Sequence, residues 1–207
     1  FSAGFPLLIQ TAFPAVNPVK YAFLGPLIGA LTRPFGGWIA DKTGSGAKIT
    51  QWVFIGMIAA VFGVLSFLPS ETQSGSFWGF FACFMILFAL SGIGNGSTFM
   101  QIPVIFLTLH QRRAEQGLSD GKQALADAAK EGAAVAGFTG AFAAYGGFFI
   151  PKSYGTSIDL TGGVNAALIG FIIFYAICAA LNWWYYTRKG AEAKCSCPNT
   201  KYTGRLK

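Results

Sequence analysis

YAFLGPLIGALTRPFGGWIA, residues 21–40, is twenty residues long and carries one charge, Arg33. A helix of that length covers the roughly 30 Å of hydrocarbon in a bilayer, so the stretch reads as a membrane span. A charge at that depth costs several kcal/mol unless it faces a protein interior or a wet cavity, which makes Arg33 a functional candidate. A guanidinium is permanently charged, planar and forked, and this suits it to holding a small oxyanion.

Composition supports the membrane reading. Hydrophobic residues make up 53% of the chain and charged residues 11%, against roughly 25% charged in soluble proteins. Further apolar runs follow at 49–69, 77–107, 132–151 and 163–186, giving five full spans with the first at 20–40. The opening FSAGFPLLIQTAFP is too short to cross and reads as the second half of a truncated helix. No basic segment precedes it, so it is not a signal peptide. The polar stretch 108–131, containing HQRRAEQGLSDGKQALADAAKE, is expected in water as a loop with a short surface helix from about Asp120.

The expected fold is therefore an all-α integral membrane bundle of six helices, the first truncated. That matches half of a twelve-helix transporter built from two six-helix bundles. Residues 1–190 form the bundle in this reading, and 191–207 a cytoplasmic tail.

The net charge of +7 does not point to nucleic acid, because the cations are sorted by loop. Lys42, Lys48, Arg112, Arg113, Lys122, Lys130 and the tail lie on one side, and only Lys20 and Lys152 on the other. The positive-inside rule makes the first side cytoplasmic. Trp183, Trp184, Tyr185 and Tyr186 close the last span as an interfacial belt. Cys83 and Cys178 lie in apolar spans and read as packing residues. Cys195 and Cys197 form a C-x-C in the tail, read as two reduced thiols.

Small residues mark the packing faces. Gly25, Gly29, Arg33 and Gly37 recur every four residues and share a helix face, with Pro26 and Pro34 placed to kink the helix. SGIGNGSTFMQIP (91–103) holds Gly92 and Gly96 together with the polar Asn95, Ser97 and Gln101. Asn95 fits either an interhelical hydrogen bond or a cavity wall. GAAVAGFTGAFAAYGGFFIPKSYG (132–155) carries the stripe Gly132, Ala136, Gly140, Ala144, with Gly137 beside it. So many small residues suit a helix that rocks against its neighbours.

These segments carry a family resemblance. RPFGGWIADKTG (33–44) resembles the G-x-x-x-D-[RK]-x-G loop motif of the major facilitator superfamily, at Gly37, Asp41, Lys42 and Gly44. LGPLIGALTRPFGGWIAD, SGIGNGSTFMQIP and GFTGAFAAYGGFFIPKSYG resemble the C-terminal half of NarK-type nitrate/nitrite porters. The last of them matches the second nitrate signature, although position 140 is often serine in relatives and Ala143 stands where glycine is usual.

The resemblance implies nitrate and nitrite as substrates, transport in a bacterial inner membrane, and an N-terminal half as partner. Arg33 corresponds to the second-half arginine of a two-arginine anion clamp. Gly137 and Gly140 correspond to site-lining positions, and Asn95 joins them as a substrate-binding candidate. Asp41 and Lys42 are gating candidates, with a solvated turn as the plain alternative.

No cofactor is expected. A haem anchor needs facing histidines, and the chain has one His, at 110 in the expected loop. The expected spans hold no Asp, Glu or His, which favours nitrate/nitrite exchange over a side-chain proton relay. Nitrate–proton symport and transport of another small organic anion are the alternatives.

Overall fold

A computed structural model describes residues 4–69, 75–117 and 120–188. Among these residues the chain is helical, with no strand. Helix α1 spans Phe5–Ala12, α2 Val19–Ala22, α3 Leu24–Thr43, α4 Gly46–Phe67, α5 Phe77–Glu115, α6 Gly121–Thr161 and α7 Asn165–Asn182, followed by a π-helical turn at Trp183–Thr187. Cys195, Cys197 and the tail at 191–207 lie outside the described residues.

Four of these helices are long and apolar enough to cross a membrane: α4, α5, α6, and α7 with its π turn. The remaining expected full span, 20–40, corresponds to α3. Helix α3 has the length, 20 residues, but Arg33 and its Gly and Pro residues lower its apolarity below that of the others. It also starts later than position 20. Pro26 has no N–H to offer Ala22, and the chain breaks between α2 and α3 at Phe23.

A larger correction concerns 108–131, which is almost entirely helical. Helix α5 runs on to Glu115, and α6 begins at Gly121 and continues unbroken for 41 residues. The connection is only 116–120. Ala, Gln, Lys and Glu are good helix formers, and buried Ala124 and Ala128 give the polar segment an apolar face to pack. Helix α6 likewise passes Pro151 and Lys152, to end at Gly162 with φ 70°.

Packing fixes the relative directions. Gly25 meets Phe88, Gly29 approaches Gly92, the Arg33 carbonyl meets Gly96, and Gly37 lies by Met100. Each pair is separated by 63 residues, so α3 and α5 run parallel. Helix α4 is antiparallel to both, with Gly46 against Ser97, Gly56 against Leu90 and Gly63 against Cys83. Buried Thr50 Oγ1 and Ser97 Oγ bond across α4 and α5 at 3.0 Å. The buried Asn182 amide donates to Ala47 O at 3.0 Å and Gln51 Oε1 at 2.9 Å, tying the end of α7 to the start of α4. Helix α1 runs opposite to α5: Phe5 stacks on Phe84 and Phe13 packs on Phe77.

The bundle thus has two ends. The α3–α4 turn, the α5–α6 turn and the π turn share one, called side B below. The other, side A, holds the α4–α5 and α6–α7 connections. Gly44 makes the α3–α4 turn possible: it sits at φ 62° and its N–H bonds Asp41 O at 3.3 Å. A residue with a Cβ is strained in that conformation.

Candidate functional site

Arg33 stands midway along α3. Its backbone faces α5, with Gly96 set directly on its carbonyl, and its side chain is exposed. Pro34 follows and has no N–H, which leaves the Ala30 carbonyl without its helical partner. Among the described residues the guanidinium forms no hydrogen bond and no ion pair. It is a full set of donors aimed into open space.

That space is divided in two. On the side-A side of Arg33 lies a cavity of ≈ 220 Å³, bordered by Pro26, Gly29, Ala30, Ser91 and Asn95. On the side-B side an open groove runs along Pro34, Trp38, Asn95, Phe99 and Met100 to Asp41. Arg33, Ala30 and Asn95 border both. Asn95 is half-buried, one turn from Ser91, and its amide makes no hydrogen bond among the described residues. Two expected site residues, Arg33 and Asn95, therefore come together, on parallel helices joined by the glycine contacts.

The other candidates are placed differently. Gly137 and Gly140 lie on α6 with nothing within 4 Å of where a Cβ would stand. Of the glycines in this stretch only Gly132 lies close to a neighbour, where a Cβ would stand 3.6 Å from Pro103 Cα. Beyond it α6 is exposed through Phe138, Phe142, Tyr145 and Phe148. The helix is held at its two ends, and among the described residues its middle has no partner. Near side A its hold is Tyr154, fully buried against Phe171, and Ser157, whose hydroxyl donates to Gly163 O at 2.6 Å.

Asp41 is exposed at the rim of the groove. Lys42 points elsewhere, with Nζ 4.0 Å over the Trp38 ring. The two form no ion pair with each other. A cation held on an indole face keeps most of its exposure and loses its freedom to swing.

The groove contains residues that the sequence reading passed over. Trp38 shares the α3 face of Arg33 and Asp41, and Phe99 follows Asn95 by one turn on α5. The i, i+4 register from Asn95 finds Phe99, and Trp38 lies four residues after Pro34 and three before Asp41. His110 was expected in a loop and is instead inside α5, 5% exposed, with Nε2 3.0 Å from Glu131 Oε2 of α6.

No family model matches the chain. It is 45% identical over 195 residues to the nitrate/nitrite transporter NarU of Escherichia coli K12, covering 94% of this chain and 42% of that protein. It is 46% identical to NarU of Salmonella typhimurium LT2, over 91% of this chain and 40% of that protein. A protein of Thermus thermophilus named "Probable nitrate/nitrite antiporter NarK2" is 37% identical over 94% of this chain and 40% of its own length. Over nearly its whole length the chain is a homologue of the NarU and NarK2 nitrate/nitrite transporters, and it spans about two-fifths of theirs.

Proposed function

We propose that the chain is the C-terminal six-helix half of a nitrate/nitrite transporter of the major facilitator type, working by alternating access. The observation that carries this is Arg33, an unpaired guanidinium on the common wall of two cavities. Nitrate and nitrite are planar anions that accept in-plane hydrogen bonds, and a forked donor matches them. Arg33 is one arm of the clamp, with the Asn95 amide beside it as a neutral donor. The second arm comes from another six-helix bundle.

That bundle also supplies the partner for the exposed middle of α6. Gly137 and Gly140 offer it close approach and line the far wall of the site. Asp41 and Lys42 gate the side-B end, Asp41 at the rim and Lys42 from its seat on Trp38. Residues 1–190 belong to the bundle and 191–207 to its tail.

Side B is cytoplasmic in this reading. Seven of its described residues are Lys or Arg, from Lys42 to Arg188, against Lys20 and Lys152 on side A. The membrane is the bacterial inner membrane.

Nitrate/nitrite exchange is the favoured mode, because no Asp, Glu or His borders the cavity beside Arg33 and only Asp41, at the far rim, borders the groove. Buried His110, paired with the part-exposed Glu131, supports a second reading, nitrate–proton symport. Proteoliposomes of the full transporter separate the two. Exchange predicts nitrate uptake that requires internal nitrite and is not driven by a pH gradient. Uptake driven by an inward proton gradient without internal nitrite would establish symport and overturn exchange.

A further inference from the structure

His110 is the single histidine of the chain. Histidine is the one side chain whose ordinary titration falls between about pH 5 and 8. Its ring is inside the bundle, with 7% of the side chain exposed, while the Glu131 side chain is 50% exposed. The carboxylate therefore keeps its contact with water, and the imidazole is held against it at 3.0 Å.

The position of this pair gives it leverage. Around it α5 and α6 are packed, through Ala124, Ala128 and Gly132. One turn further, α6 leaves the bundle surface and carries Gly137 and Gly140 into open space. On α5, Pro103 lies between His110 and Asn95 and removes one rung of the helical ladder. The same two helices thus carry a missing backbone hydrogen bond, a candidate site residue and a polar tie.

We propose that His110 and Glu131 form a proton-responsive clamp that fixes α6 to α5 at side B and sets how far the glycine-rich middle of α6 can move relative to Arg33. This rests on the transport reading above. A neutral imidazole holds Glu131 by one hydrogen bond, and only in the tautomer with hydrogen on Nε2. Protonation keeps that bond and adds charge to it, which strengthens it. The clamp is tight at acid pH and loosens as pH rises. The other charged groups within a turn of the pair are Arg112 and Arg113 on α5 and Asp127 and Lys130 on α6. Arg112, Arg113 and Lys130 are exposed and Asp127 is half-buried, so water screens them more than it does His110.

Two measurements on the full transporter test this. The first is exchange of labelled for unlabelled nitrate across proteoliposomes, which moves no net proton. A part-exposed ion pair contributes little, so the parent rate is expected to change by up to about fivefold between about pH 5 and 8. His110→Gln keeps a donor for Glu131 but does not titrate, and is expected to exchange nitrate with a flat profile. A His110→Gln profile identical to the parent's, or a flat parent profile, overturns the clamp.

The second measurement does not need transport. Spin labels at Leu109→Cys on α5 and Phe142→Cys on α6 should show a distance distribution that broadens as pH rises in the parent and stays constant in His110→Gln. A pH-independent distribution in the parent overturns the clamp. A pH-dependent distribution in a protein that moves no nitrate leaves the clamp standing and overturns the transport reading.

Discussion

Gly96 on α5 lies against the main-chain carbonyl of Arg33 on α3, so closely that a Cβ at position 96 would overlap the oxygen. The same approach repeats one turn earlier, where Gly92 meets the Gly29 carbonyl and the Thr32 hydroxyl. Helix backbones can come this near only where side chains are absent, and dispersion between the paired surfaces then drives association in lipid. The contact that joins the two helices is thus the contact that sets Arg33 beside Asn95.

Glycines of the same chain should therefore respond with opposite signs. Gly96→Ala must push α3 and α5 apart, at a cost of about 1–3 kcal/mol. Gly140→Ala meets nothing within 4 Å and gains up to about 1 kcal/mol of helix propensity. Thermal unfolding of the 207-residue chain in detergent checks this. The midpoint should fall for Gly96→Ala and hold or rise for Gly140→Ala. Equal losses at both positions would contradict the packing described.

The buried polar ties should prove modest but real. Thr50 and Ser97 bond at 3.0 Å between α4 and α5. Interhelical hydrogen bonds in membrane proteins average about 0.6 kcal/mol in double-mutant cycles. The cycle of Thr50→Val and Ser97→Ala should give a coupling of that size. Asn182→Leu breaks two bonds and should cost about twice as much, with the loss confined to the docking of α7 on α4. A coupling of zero at Thr50–Ser97 would mean the hydroxyls find other partners.

The spans were legible because a run of twenty apolar residues has few alternatives. Their ends were not. The polar flanks His110–Glu115 and Gly121–Glu131 look like a loop by hydropathy, yet they are helical and partly buried. Helix propensity and the Ala124–Ala128 face carried that information, and average polarity hid it.

Arg33 and Asn95 stood out because a charge or a free amide is costly among apolar neighbours. Trp38, Phe99 and Met100 did not, since an aromatic or apolar side chain in a span looks the same whether it faces lipid or a cavity. Gly137 and Gly140 rested as site residues on resemblance alone, and among the described residues nothing lies within 4 Å of where their Cβ would stand.

The central claim is that Arg33 binds the anion through its planar fork. Nitrate flux into proteoliposomes of the full transporter, with Arg33→Lys beside the parent, tests it most directly. Lysine keeps the charge and loses the paired in-plane donors. Charge-assisted hydrogen bonds contribute about 1.5–3 kcal/mol, so nitrate affinity should fall about ten- to a hundredfold. A variant that transports nitrate with the parent's affinity and rate would contradict the account.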